Sequence, residues 1–167
     1  MKSWLKITHR LLDEIRIDLR RPHRFAVERV GFVLCRFAHT PTRTLLILSC
    51  DYHPVADDDY IDDNHYGAVI NSAAFRNAMQ LAYSRSVGLF HVHLHEHTGR
   101  PVPSNTDMRE TSAFVPDFFH VRPHLPHGAL ILSSDSLSGR VWRPDKQIPR
   151  AIDRFSIIGF PLSQITD

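Results

Sequence analysis

Histidine stands at every second position from His91 to His97, within the segment VGLFHVHLHEH. A two-residue period belongs to the β-strand, whose successive side chains point to opposite faces. A strand is therefore expected over residues 87–95, with His91 and His93 on one face, roughly 6.6–6.8 Å apart along the chain. Two imidazoles so placed can converge on one ion. Zinc takes histidine nitrogen at about 2.0–2.1 Å, and a catalytic zinc site needs three protein ligands. The third donor must come from elsewhere in the fold, and the next carboxylates are Glu96, Asp107 and Glu110.

The rest of the chain sets the frame for that strand. Its 167 residues, 43% of them hydrophobic, suffice for one domain over 1–167 with one sizeable core. They are too few for the (β/α)₈ barrel of about 250 residues that houses many His-x-His hydrolases. Leu11, Leu12, Ile15 and Leu19 recur at helical spacing over 8–20, and Pro22 stops that helix. Strand-like runs follow over 25–37 and 42–50, then an acidic loop (DDDYIDD), a helix over 72–84 and the histidine strand. A Gly/Pro loop over 99–103 precedes a helix starting near Ser104, and a strand pair over 128–133 and 139–142 leads to the C-terminal segment. Helices interleaved with strands predict an α/β layered domain with a mixed sheet.

Composition removes several functions. A formal charge of +2 gives no strong field for nucleic acid or anionic lipid, and the 17 arginines are spread with no block beyond Arg20 and Arg21. Charge every few residues before residue 22 excludes a signal peptide or a membrane span there, so a cytoplasmic protein is expected. Cys35 and Cys50 lie in apolar runs and read as small buried hydrophobes rather than as a disulfide framework.

Other metal motifs fail on arithmetic or on secondary structure. Residues 93–97 spell His-x-x-Glu-His, but that inverted zincin signature needs a helix and a glutamate ligand downstream, and no Glu follows Glu110. The metallo-β-lactamase pattern fails because His95 stands where Asp is required. A cupin spacing fails too, since only two residues separate His93 from Glu96.

Downstream of the strand, PVPSNTD places Ser104 three residues before Asp107. Taken alone this is a capping-box variant that would start a helix without any function. Taken together, GLFHVH and SNTD resemble the zinc motif of the JAMM (JAB/MPN) metalloproteases, in which a strand-borne His-x-His and the Asp of Ser-x-x-Asp hold zinc. The family's catalytic glutamate lies some sixty residues earlier, just before a Gly-containing apolar strand. AVERVGFVLCR has that form and offers Glu28. On its own Glu28 reads as a solvated charge at a strand edge; of the other glutamates, Glu14 falls on the polar face of the first helix and Glu110 on the surface of the helix after Asp107.

The resemblance spans about residues 26–142 and implies a cytidine-deaminase-like JAB/MPN fold. It implies one Zn²⁺ per chain held by His91, His93 and Asp107, Glu28 as general base and acid, and Ser104 as the oxyanion donor. Two departures stand out. Leu94 occupies a place where the family often has Pro, and the run from His93 to Ser104 is longer than in compact eukaryotic members. Because the alternation continues, the ligand pair could slip to His93 and His95. The family's Gly-x-x-His spacing from Gly88 favours His91 and His93, with His95 in the pocket wall or as a ligand in its own right.

The implied activity is zinc-dependent cleavage of a peptide or isopeptide bond after the C-terminal Gly of a ubiquitin-like protein. Partners would be that protein, its conjugates or precursor, and conjugation-pathway enzymes, with no nucleic acid and no membrane. The compact form resembles the prokaryotic branch, which accompanies bacterial ubiquitin-like systems including antiphage ones. The loops over 52–71 and 113–127 would clasp the substrate tail, with Asp57, Asp58, Asp59, Asp62 and Asp63 suited to a basic tail and Phe118 and Phe119 read as core or substrate contacts. The alternative is a non-catalytic MPN-type scaffold, against which all five motif residues stand.

Overall fold

A computed structural model describes residues 1–63 and 67–166. Its elements run β1 (Ser3–Thr8), α1 (His9–Leu19), β2 (Val30–His39), β3 (Leu45–Pro54), α2 (Ser72–Arg85), β4 (Gly88–Leu94), α3 (Asn105–Phe114), β5 (His127–Leu132), β6 (Leu137–Trp142), β7 (Arg150–Ala151), β8 (Arg154–Ile158) and β9 (Ser163–Thr166). Short 3₁₀ turns occupy Asp57–Asp59 and Val115–His120.

The strands form one nine-stranded sheet in the order β7-β6-β5-β4-β2-β3-β1-β8-β9. Pairing is mixed: β1 runs parallel to β3 and β8, β4 parallel to β5, and the remaining neighbours are antiparallel. Alternation along the central strands feeds two cores. Val33, Cys35, Phe90, Val92 and Leu94 join the stripe Leu11, Leu12, Ile15 and Leu19 of α1 on one face. Phe32, Leu34 and Leu89 meet the small-residue stripe Ala74, Ala78 and Ala82 of α2 on the other, with Phe118, Phe119 and Trp142. The result is a mixed α/β fold with helices on both faces, as the patterning predicts.

Several boundaries differ from expectation. β2 begins at Val30 rather than near residue 25, because Pro22 and the residues that follow it run as irregular chain. β7 and β9 carry too little apolar periodicity of their own and are strands through their neighbours, whereas β1 and β8 turn Leu5, Ile7, Phe155 and Ile157 into the core. Phe118 and Phe119 are core residues, and Cys50 is exposed while Cys35 is buried. No helix among the described residues is long and apolar enough to cross a membrane.

Candidate metal centre

β4 lies in the middle of the sheet, between β2 and β5, and delivers its odd-numbered side chains to the α2 face. His91 is deepest. Its ring meets Phe32 and Phe114 edge-on, with centroids 5.8 and 5.0 Å away, and its Nδ1 is buried without a hydrogen-bond partner among the described residues. Burial first, and then His93, push its imidazole down to about 3. His93 and His95 follow towards the C-terminal end of the strand, with their Nε2 atoms 3.1 Å apart.

Asp107 approaches from the first turn of α3. Ser104 caps that helix: its Oγ accepts the Asp107 backbone N–H at 3.0 Å, and the Asp107 carboxylate accepts the Ser104 N–H at 2.7 Å. The capping box thus aims the acid at the histidines, its Oδ1 lying 3.3 Å from His93 Nε2 and its Oδ2 3.6 Å from His95 Nε2. Burial pulls the Asp107 carboxyl up, but hydrogen bonding and charge from His93 and the hydrogen bonds from Ser104 outweigh it. The carboxyl is held well below the ordinary range.

Glu28 completes the cluster, two residues before β2. In the antiparallel pairing of β2 with β4 the last partners are Val30 and His93, and the irregular chain before β2 brings Glu28 beside His93 and His95. Carboxylate and imidazole atoms of Glu28, His93 and His95 all lie within 4.8 Å of one another. The Glu28 N–H donates to the Gly67 carbonyl at 2.8 Å. Burial raises its carboxyl above the ordinary value; the His93 charge opposes this and the Asp107 charge adds to it.

These donors suit zinc. Ligands about 2.0–2.1 Å from a tetrahedral ion are roughly 3.3 Å from each other. The separations within His93, His95 and Asp107 cluster about that value. The donors that lie within 4.8 Å of one another are those of Glu28, His93 and His95, with Asp107 beside both histidines; the family spacing implies His91, His93 and Asp107. α3 and residue 28 both reach the end of β4, while His91 packs edge-on to Phe32 and Phe114 and lines the same cavity as Glu28, His93 and Asp107. His95, expected in the pocket wall or as a ligand in its own right, stands with Glu28 and His93 in the group that could hold a metal ion. The sequence held a signal for this, since counting from His95 removes two residues from the overlong run to Ser104.

Glu28 also separates two cavities. One, of about 360 Å³, has an apolar wall of Val30, Ala68, Ile70, Phe75 and Phe114 and contains His91, His93 and Asp107. The other, of about 520 Å³, is polar and includes Arg20, His23, His95 and Glu96. In the acidic loop, Asp57 pairs with Arg29 at 2.7 Å and Asp59 accepts the Asn71 side-chain amide at 3.2 Å, so both serve the fold itself. Part of the 52–71 loop, residues 64–66, lies outside the described residues.

No protein-family model matches this chain, and no curated protein matches it. Among solved structures, the N-terminal domain of STIL from Trichoplax adhaerens is similar with a TM-score of 0.38 and 10% identity, over 82% of this chain. The chain spans 40% of that structure's chain.

Proposed function

We propose that this chain is a zinc-dependent hydrolase of JAMM type, with a JAB/MPN fold, that cleaves the amide bond after the C-terminal Gly of a ubiquitin-like protein. The observation that carries the reading is the convergence of His93 Nε2, His95 Nε2 and the Asp107 carboxylate at 3.1–3.6 Å, with the Glu28 carboxylate beside them. Two imidazoles and one carboxylate are the donor chemistry of a catalytic zinc site. A Zn²⁺ ion held there supplies Lewis-acid chemistry, acidifying water and polarising a carbonyl.

The chain's own groups perform the proton work. Glu28, its carboxyl raised above the ordinary value by burial, takes a proton from the attacking water and returns it to the leaving amine. Ser104 Oγ accepts the Asp107 N–H with one lone pair, and its hydroxyl proton is the donor this reading assigns to an oxyanion. The apolar cavity beside His93 and Asp107 suits an extended tail approaching the site, and the polar one beyond Glu28 gives the leaving chain room. The exposed Asp58 and Asp62 are the acids this reading assigns to a basic tail. A bacterial, cytoplasmic conjugation pathway is the setting the resemblance implies.

The deciding experiment incubates zinc-loaded protein with ubiquitin-like precursors and conjugates, wild type against Glu28→Ala. Cleavage after the terminal Gly that disappears in the variant supports the reading. Equal cleavage by both, or none by either across precursors and conjugates, overturns it.

A further inference from the structure

Glu28 sits in irregular chain between α1 and β2, where no sheet ladder fixes a side chain. Its neighbour Arg29 is a buried cation, 1% exposed, with every guanidinium nitrogen engaged. Nε donates to the Arg21 carbonyl at 2.9 Å, Nη2 to the Pro22 carbonyl at 3.2 Å and Nη1 to Asp57 Oδ1 at 2.7 Å. The carbonyls belong to the chain leaving α1, and Asp57 to the 3₁₀ turn after β3. One side chain therefore ties together the segments on either side of residue 28. The tie extends further: Arg21 Nε donates to Asp18 Oδ1 at 2.8 Å, and Asp18 Oδ2 accepts the Tyr52 hydroxyl at 2.6 Å.

Burying a charge is costly unless its hydrogen bonds are met, so a fully engaged buried Arg marks a backbone held in one arrangement. Lysine could not replace it, because an ammonium is a point charge without the planar fork that reaches three acceptors at once. From the opposite side Gly67 restrains Glu28, accepting its N–H and leaving room for its carboxylate. Asp57, assigned by sequence to the substrate tail, is 47% exposed yet spends its carboxylate on Arg29.

We infer that Arg29, with Asp57 as its counter-charge, is the positioning residue that holds the Glu28 carboxylate at the His93–His95 pair; this rests on the reading of Glu28 as the base. Arg29 acts through Glu28 and touches no substrate. Asp57 governs the rate of the chemical step rather than substrate affinity.

The test uses the full zinc-loaded chain labelled with ¹³C at the glutamate carboxyls, which gives four signals because there are four glutamates. In Asp57→Ala and Arg29→Lys the Glu28 signal should move while those of Glu14, Glu96 and Glu110 stay. With a cleavable precursor, kcat should fall about tenfold to hundredfold, the scale of a 1 Å misplacement, at unchanged KM and zinc content. Should Arg29→Lys fail to fold, the surface variant Asp57→Ala carries the test alone. A stationary Glu28 signal in Asp57→Ala overturns the inference, as does a raised KM with unchanged kcat. Absence of cleavage by the wild type would instead sink the hydrolase reading, and a moved Glu28 signal would still support the positioning role.

Discussion

The Glu28 carboxylate rests against Gly67 so closely that a Cβ built on that glycine would lie 2.3 Å from Glu28 Oε1. The glycine is required by space and not by backbone angle. Gly67→Ala should push the carboxylate off the His93–His95 pair and lower kcat about a hundredfold. Bound zinc, measured by atomic emission after dialysis, should stay at the wild-type level. An unaltered kcat would show that Glu28 tolerates displacement.

Metal retention separates the two histidine registers. Loss of His93, His95 or Asp107 by substitution to Ala should abolish stoichiometric zinc, since each removes a first ligand. His91→Ala should keep the metal and instead lower the melting temperature, because it opens space beside Phe32 and Phe114. If His91→Ala loses zinc while His95→Ala keeps it, the ligand set is the one implied by the family spacing.

Ser104 has two roles that substitution can pull apart. Ser104→Ala removes the cap of α3 and should cost about 1 kcal/mol of stability, whereas Ser104→Gly should cost only a few tenths. Both lose the hydroxyl, so both should lower kcat about 10²- to 10³-fold if it donates to the oxyanion. Chemical denaturation and steady-state kinetics on the pair give the answer. A Gly variant as active as wild type would leave Ser104 a helix cap only.

Acid sensitivity should have a component unrelated to the metal site. His127 is fully buried, its Nδ1 accepting the Leu89 N–H at 3.1 Å and its Nε2 donating to the Arg122 carbonyl at 3.0 Å, so only the neutral ring fits. Burial pushes its pKa down to about 4, against the opposing hydrogen bonds. The unfolded chain therefore binds this proton more readily, near pH 6.5. The stabilisation is complete above that value and is lost as pH falls through about 4, amounting to on the order of 3 kcal/mol. Urea titrations at pH 7 and pH 4.5 should show a steeper loss for wild type than for His127→Gln. Equal slopes would remove His127 from the acid response.

Much of this arrangement was legible in the residues themselves. Period-two histidines in an apolar run placed β4, the spacing of Leu11, Leu12, Ile15 and Leu19 placed α1, and Ser104 with Asp107 placed the start of α3. These are local signals, carried by neighbours along the chain. The short edge strands were not legible, because Arg150–Ala151 and Ser163–Thr166 are strands only through the partners they pair with.

By itself the sequence determined an α/β domain with one histidine strand, one capped acid and one suitably placed glutamate. Only the tertiary structure decided which histidines meet that acid. His91 and His93 share a face of β4 and His95 follows its end in the same alternation, so alternation alone cannot choose among them. The choice is settled by the irregular chain before β2, which brings Glu28 beside His93 and His95, and by the reach of α3, which brings Asp107 to the same pair. Both are relations between distant segments, set by packing on the sheet and not by any local pattern.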